Sequence, residues 1–460
     1  MTTKAPQTLQ DKLDTVPNLV DYLYGNKKGS PSSDAVLRQP PPLVQPEYTS
    51  WRDEQSAWNN SVAFYNQSFH MISTVVRGKD AKALIQSLAV NNLEKFGVGK
   101  ARHYLACGYD GNVVGDGILF SEAENEIELV GRAAGHKWLE YQAEVGGWDV
   151  TIHPDQILSQ NAAGQRRLFR YQLEGPNALA LLEKLNGAPL PDVPRTTIVK
   201  LNIGGHSVSA FRMTMAGGPG YEFWGPWAEG EAVKAAILEA GPAFDLRQVG
   251  SFAYFSTALE IGWIPRPVHA IYSSEEMRGF REWLPESANE VKWSLGGSFY
   301  SPNIEDYYFN PYELGYGHHI KFDHDFIGRD ALEAMAGRTH RKRVTLAWDP
   351  QDVNRLTASY LDRDQLPGLY MNHPISNYAN WQYDAVCDAE GKTIGAAVYT
   401  GFSWNERSIL STAVVDADHA APGSKVSVVW GEPDGGARSQ PWIERHRQMT
   451  IGATVVPTPK

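Results

Sequence analysis

The chain has 460 residues, with 42 Lys+Arg against 53 Asp+Glu and a formal net charge of -11. That balance argues against nucleic acid as a partner, since phosphate binding needs a basic face, but it allows a small anion held by one or two local cations. With 42% hydrophobic and 21% charged residues, no apolar run of bilayer-spanning length and no apolar core in MTTKAPQTLQDKL, a globular, cytoplasmic, non-membrane protein is expected.

Residues 1–45 read as a lead-in, with a short helix over 13–24 and an extended path through 29–33 and Pro40-Pro41-Pro42. From residue 46 strands and helices alternate. Strands are expected at 73–77, 113–120, 127–131 and 168–173, and helices at 80–88, 135–144, 177–185 and 229–240. A hairpin turns at Gly204-Gly205 between 199–203 and 208–212. Phe326 to Leu332 reads as a turn at Gly328 followed by a helix start. After residue 337 the pattern becomes short strands with Gly/Pro/Asp turns and little helix: 338–349, 385–386, 393–399, 411–415, 425–430 and 449–455. The whole reads as α+β with a C-terminal β-barrel or sandwich over 338–460. Cys107 and Cys387 stand in no metal or redox spacing and are expected as buried, reduced thiols.

Several stretches carry chemistry. His70, in Phe69-His70-Met71, is either a hydrogen-bonded structural histidine or a polar group facing a reaction site; Gln67 lies just upstream. Asp116, in Gly115-Asp116-Gly117, either caps a turn or presents a carboxylate. Arg132 ends a strand and offers a planar fork that suits a carboxylate. Glu222 follows the glycine-rich Gly217-Gly218-Pro219-Gly220-Tyr221. This is no phosphate loop, because it lacks the Lys-Ser/Thr pair. Tyr254 and Glu260 fit a helix surface, and Trp263 a core. The run 303–332 is dense in tyrosine, glycine, His and Asp. Its His318, His319, Asp323, His324 and Asp325 match no recognised ligand spacing, so no metal is expected and a polar loop lining a channel is favoured.

Taken together, Trp51-Arg52, Gln67, His70, Gly115-Asp116-Gly117, Val130-Gly131-Arg132, the 217–226 string, Tyr254, Trp263, 281–285, 303–332 and Thr400-Gly401-Phe402 carry a resemblance to the glycine-cleavage T-protein aminomethyltransferase superfamily. Within it the chain resembles the tetrahydrofolate-dependent aryl O-demethylases of the vanillate/3-O-methylgallate type. The resemblance implies a three-domain cloverleaf around a central folate channel, and along the chain a lead-in (1–45), a folate-binding core of two interleaved α+β subdomains (46–337) and the barrel (338–460). It also implies transfer of a methyl group from a methoxybenzoate (vanillate, syringate or a 2-methoxybenzoate such as dicamba) to N5 of tetrahydrofolate.

By the same resemblance Glu222, Trp263, Gln67 and Asp116 bind the folate, and Arg132, His70 and Tyr254 bind the small aromatic substrate. Tyr254, His70 and Asp116 form the catalytic group, with Tyr254 as proton donor to the departing oxygen and His70 as the second candidate. The family's substrate-touching lead-in tyrosine is replaced here by the stretch Gln39-Pro40-Pro41-Pro42, which leaves the ring substituents open. Aminomethyl or sulfonium methyl transfer, and non-catalytic folate binding, remain alternatives. Oligomeric state is not legible.

Overall fold

The computed structural model describes residues 7–25 and 44–460. Their packing defines two units. One holds the described N-terminal helices, residues 106–115 and 262–459; the other holds 44–105, 116–261 and Lys460.

In the first unit Thr8 opens helix α1 (Leu9–Thr15) through a capping box with Asp11, and helix α2 (Leu19–Gly25) follows. The single helix expected over 13–24 is therefore broken. Val16 is extended, at φ -98° and ψ 131°. Pro17 is the reason, since its ring disfavours helical backbone in the preceding residue and it has no N–H to donate. The extended path expected through 29–33 and 40–42 lies outside the described residues.

From residue 51, mostly within the second unit, the chain runs α3 (Trp51–Asn60), β1 (Val62–Asn66), β2 (Ile72–Arg77), α4 (Ala81–Gln86), β3 (Lys100–Cys107), β4 (Val113–Ala123), β5 (Glu126–Gly131), α5 (Ala133–Val145) and β6 (Thr151–Asp155). It continues with β7 (Leu168–Glu174), α6 (Ala178–Asn186), β8 (Val199–Ile203), β9 (His206–Phe211), β10 (Gly220–Pro226), α7 (Gly230–Ala240), β11 (Leu246–Gln248) and α8 (Ser251–Glu260). The β8–β9 turn rests on Gly204 and Gly205, at φ 61° and 89°, as a two-residue hairpin requires. One sheet has the order β11-β1-β7-β10-β9-β8 and the other β3-β4-β5-β2-β6.

Strand β7 shows how the first of these sheets is used. Phe169, Tyr171 and Leu173 join Tyr221 and Phe223 of β10 in an apolar core with Leu181 and Leu182 of α6 and Val233 and Ile237 of α7. Truncating a buried leucine there, such as Leu181→Ala, costs about 2–5 kcal/mol. The two-residue period sends Arg170, Gln172 and Glu174 to the opposite face. These three are buried as well, at 6%, 0% and 0% exposure. On that face Ala57 and Trp58 of α3 and Ala253 and Tyr254 of α8 pack over Ala63 and Tyr65 of β1. The two helices are tied by Gln55 Nε2 donating to Ser256 Oγ (2.7 Å) and Trp58 Nε1 to Glu260 Oε2 (2.8 Å). Both faces of the sheet are thus covered, and one of the covered faces is polar.

The first unit also contains a short parallel pair, β12 (Leu295–Gly296) with β14 (Trp381–Gln382). A closed barrel follows, built from β13 (Lys342–Trp348), β15 (Asp384–Cys387), β16 (Thr393–Ser403), β17 (Ser408–Val415), β18 (Lys425–Trp430) and β19 (Met449–Val456), in the order β13-β17-β16-β15-β18-β19. Leu346, Trp348, Val428, Trp430 and Ile451 fill it. Where little helix was expected, a helix spans Pro350–Ser359. Asp349 caps it by accepting from the Gln351 and Asp352 amides, and Pro350 sits in its first turn. Cys107 and Cys387 are free and buried. No helix among the described residues is long and apolar enough to cross a membrane.

Candidate functional site

Six of the seven residues singled out in the sequence fall in the second unit: Gln67, His70, Asp116, Arg132, Glu222 and Tyr254. Trp263 falls in the first unit and is half-buried. Sheet register gathers three of the six. Gly131 of β5 pairs with Gly117 of β4 on one side and Ile72 of β2 on the other. Asp116, Arg132 and the His70–Met71 segment therefore meet at one end of the five-stranded sheet. Glycine is needed at this end because a Cβ on Gly117 would lie 2.6 Å from Val130 O, and one on Gly131 2.7 Å from Asp116 O. Asp116 Oδ2 lies 3.7 Å from His103 Nε2.

Tyr254 is buried on α8, not on a helix surface, at 4% exposure; Glu260 is buried at 1%. Tyr254 Oη and His70 Nε2 are 3.1 Å apart, and the imidazole lies edge-on to the phenol ring with centroids 5.0 Å apart. Burial and the Glu222 carboxylate push the Tyr254 pKa above the usual phenol range, while the Gln67 amide and the Arg132 charge pull against them. These four groups therefore share one electrostatic neighbourhood, and the phenol holds its proton at neutral pH.

Glu222 is buried on β10 and paired. Arg170 Nη1 donates to Glu222 Oε1 at 2.6 Å, which leaves Glu222 Oε2 with no donor among the described residues. Burial raises the Glu222 pKa above the ordinary glutamate value despite Arg170, and Glu128 adds to the rise. The guanidinium of Arg170 also lies 3.7 Å from Glu128 Oε2 and stacks 4.7 Å and 4.8 Å from the Phe120 and Trp224 rings. Behind it, Gln67 Nε2 donates to Gln172 Oε1 (3.2 Å), and Gln172 Nε2 donates to Glu174 Oε2 (2.9 Å). Glu174 accepts from the Ala216 and Gly218 amides and so fixes the loop that leads into β10. Gln67 Oε1 is buried with no hydrogen-bond partner.

Arg170, Gln172 and Glu174 were not identified from the sequence. Their signal is the alternation in Leu168–Glu174, which ordinarily marks a solvent-facing side. Among the described residues no group of three or more His, Cys, Asp or Glu is arranged to hold a metal ion.

Residues 37–266 match the family model described as GCVT N-terminal domain. The chain is 41% identical over 453 residues to a syringate O-demethylase from Sphingobium sp., covering 98% of this chain and 96% of that one. It is 30% identical over 403 residues to a sesamin methylene transferase from Sinomonas sp., covering 84% and 86%. The crystal structure of glycine cleavage system aminomethyltransferase T from Bartonella henselae superposes with a TM-score of 0.60 at 17% identity, covering 91% of each chain, and shares the fold. The chain belongs to the GCVT family of glycine-cleavage T-protein-like folate-dependent transferases. It is a methyltransferase of the O-demethylase branch, with tetrahydrofolate as methyl acceptor.

Proposed function

We propose that the protein removes the methyl group of a methoxylated benzoate of the syringate or vanillate kind, releasing the phenol and 5-methyltetrahydrofolate. The observation that carries this reading is the 3.1 Å hydrogen bond between buried Tyr254 and half-buried His70, beside Glu222, Gln67 and Arg132.

The acceptors present fit the folate. Gln67 Oε1 and Glu222 Oε2, both lacking a donor, suit the amino and ring N–H edge of a pterin. Asp116 offers a second carboxylate. Bound tetrahydrofolate supplies the nitrogen that takes the methyl group and sheds one proton, so ether plus tetrahydrofolate gives phenol plus 5-methyltetrahydrofolate in balance.

The side chains do the rest. Arg132 holds the benzoate carboxylate through its fork and so orients the ring. Tyr254 keeps its proton until the methyl–oxygen bond breaks, then delivers it from Oη to the aryl oxygen. A phenol donor is chemically matched to a phenol product. His70 Nε2 holds Tyr254 Oη in place and returns a proton to it. Fixing both reactants in line supplies much of the remaining acceleration.

The test is anaerobic incubation with tetrahydrofolate and a panel of methoxybenzoates, a methylenedioxybenzene, a sulfonium and an aminomethyl donor, with both products read by mass. Stoichiometric phenol and 5-methyltetrahydrofolate from a methoxybenzoate support the reading. Turnover confined to the other donors refutes it.

A further inference from the structure

Four of the eight large apolar side chains most exposed among the described residues sit on one part of the first unit: Leu361 at 83%, Tyr370 and Trp442 at 55% and Leu366 at 50%. They belong to two segments that run side by side. The loop 360–370 leaves the Pro350–Ser359 helix, and the segment 442–447 leads toward β19. Gly368 and Arg447 form a parallel bridge, the Arg447 amide donates to Pro367 O at 2.8 Å, and the Tyr370 amide donates to Glu444 Oε1 at 2.6 Å. Apolar residues scattered singly over a surface need no explanation, but a contiguous group marks an interaction site.

The two segments are firmly held. Leu369 O accepts from Tyr360 Oη at 3.1 Å and from Trp430 Nε1 at 2.7 Å, and the Gly368 amide donates to Ser359 Oγ at 2.9 Å. Leu369, Ile443 and Met449 are anchored in the barrel core. Their exposed neighbours are thereby held outward at fixed places, and a surface ordered in advance costs less to dock on.

The charges around them decide what docks. Asp362, Arg363 and Asp364 are exposed in the loop, and Glu444, Arg445 and Arg447 in the adjoining segment. Three carboxylates and three guanidiniums leave this face neutral in a chain of net charge -11. The side chains of Arg363, Asp364 and Arg445 make no hydrogen bond or ion pair among the described residues. A face for an oppositely charged partner would carry one sign. Both signs here, with the Asp362–Asp364 tip beside Arg445 and Arg447, complement a copy of themselves. A two-fold rotation lays the acidic tip of one chain against the basic segment of the other, twice over. Local neutrality also lets two chains of like net charge approach at this point. Side chains this exposed leave about 100 Å² each outside, so the four apolar groups and their charged rim reach the ~800 Å² per partner that a specific interface buries.

We propose that this face pairs two copies of the chain in an isologous dimer, with Leu361, Leu366, Tyr370 and Trp442 at its centre.

Sedimentation velocity of the full chain tests it. An interface of this size binds at micromolar Kd or tighter, so the wild type runs as a dimer at ~100 µM. Trp442→Glu and Leu361→Asp each raise the dimer Kd by about 30-fold or more, the scale of an interface hot spot, with Tm unchanged. Val145→Glu, at a comparably exposed position of the second unit (56%), leaves the Kd as in the wild type. The charges are tested by mixing. Asp362→Lys/Asp364→Lys and Arg445→Glu/Arg447→Glu each run as monomers alone and form a heterodimer together, because like charges then meet only in the homodimers. A wild type that stays monomeric at ~100 µM overturns the inference and leaves the face to a different partner. A dimer indifferent to both Trp442→Glu and Leu361→Asp overturns it too, as do charge variants that stay monomeric when mixed.

Discussion

Arg170→Met tests whether the buried polar face is held by charge. Methionine keeps an unbranched apolar stem between Phe120 and Trp224 and removes the cation bonded to Glu222 at 2.6 Å. Breaking a buried pair from one side costs about 3–5 kcal/mol, because the remaining charge stays buried. For a unit of about 200 residues that is a fall in Tm of about 6–20 °C.

The sign of its pH dependence follows from Glu222. Burial already raises the folded pKa of this carboxyl above its unfolded value near 4.5, and loss of Arg170 raises it further. A raised acid is a burden when ionised, so its stability contribution is present at low pH and lost as pH rises through the folded value. The deficit of Arg170→Met is therefore large at pH 8 and smaller at pH 5. In a Glu222→Gln background most of it disappears, as a double-mutant cycle in urea read by tryptophan fluorescence measures. An equal deficit at both pH values, or an equal deficit with and without Glu222, refutes the argument.

Tyr254→Phe lowers kcat by about 100- to 10,000-fold, the usual range for a positioned acid, with the tetrahydrofolate KM nearly unchanged; unaltered turnover removes Tyr254 from the chemistry. Glu222→Ala raises the apparent tetrahydrofolate KM by about tenfold or more, and a flat KM in steady-state kinetics means the pterin does not sit there. His136 is buried and bonds Thr74 Oγ1 at 2.8 Å, and burial depresses its pKa to about 3. The unfolded chain thus binds the extra proton first, and up to about 5 kcal/mol of stability is lost as pH falls from about 6.5 toward 3. His136→Phe flattens that acid limb in Tm against pH, and an unchanged slope contradicts the assignment.

Much of the architecture was legible because its causes are local. The hairpin at Gly204-Gly205, the helix that follows Gly328 and the short alternating strands of the barrel all have signals within a few residues. The helix Pro350–Ser359 had one too, an Asp-Pro start, but lay in a stretch whose rhythm is otherwise that of strands. The break at Val16-Pro17 was readable by the same logic.

What the sequence did not reveal depends on distant partners. Tyr254 meets His70 across 184 positions and Trp58 meets Glu260 across 202. In β7 the alternation itself was visible, yet it does not say whether the polar side faces water or a protein interior. The proposed site lies on that polar side, so strand reading found the element and missed Arg170, Gln172 and Glu174.

The amide relay behind the site has a directional consequence. Glu174 is met by backbone N–H groups and can only accept, so Gln172 must turn its nitrogen toward it. Gln172 then shows its oxygen to Gln67, which answers with its own nitrogen. The outer end of Gln67 is thereby left as a carbonyl, an oxygen without a donor. The Glu174 carboxylate thus dictates the polarity of an amide two links away, as a keyed end fixes which way a row of magnets points. Glu174→Gln would free every amide in the row to flip, and the site could then offer a donor where a pterin N–H needs an acceptor.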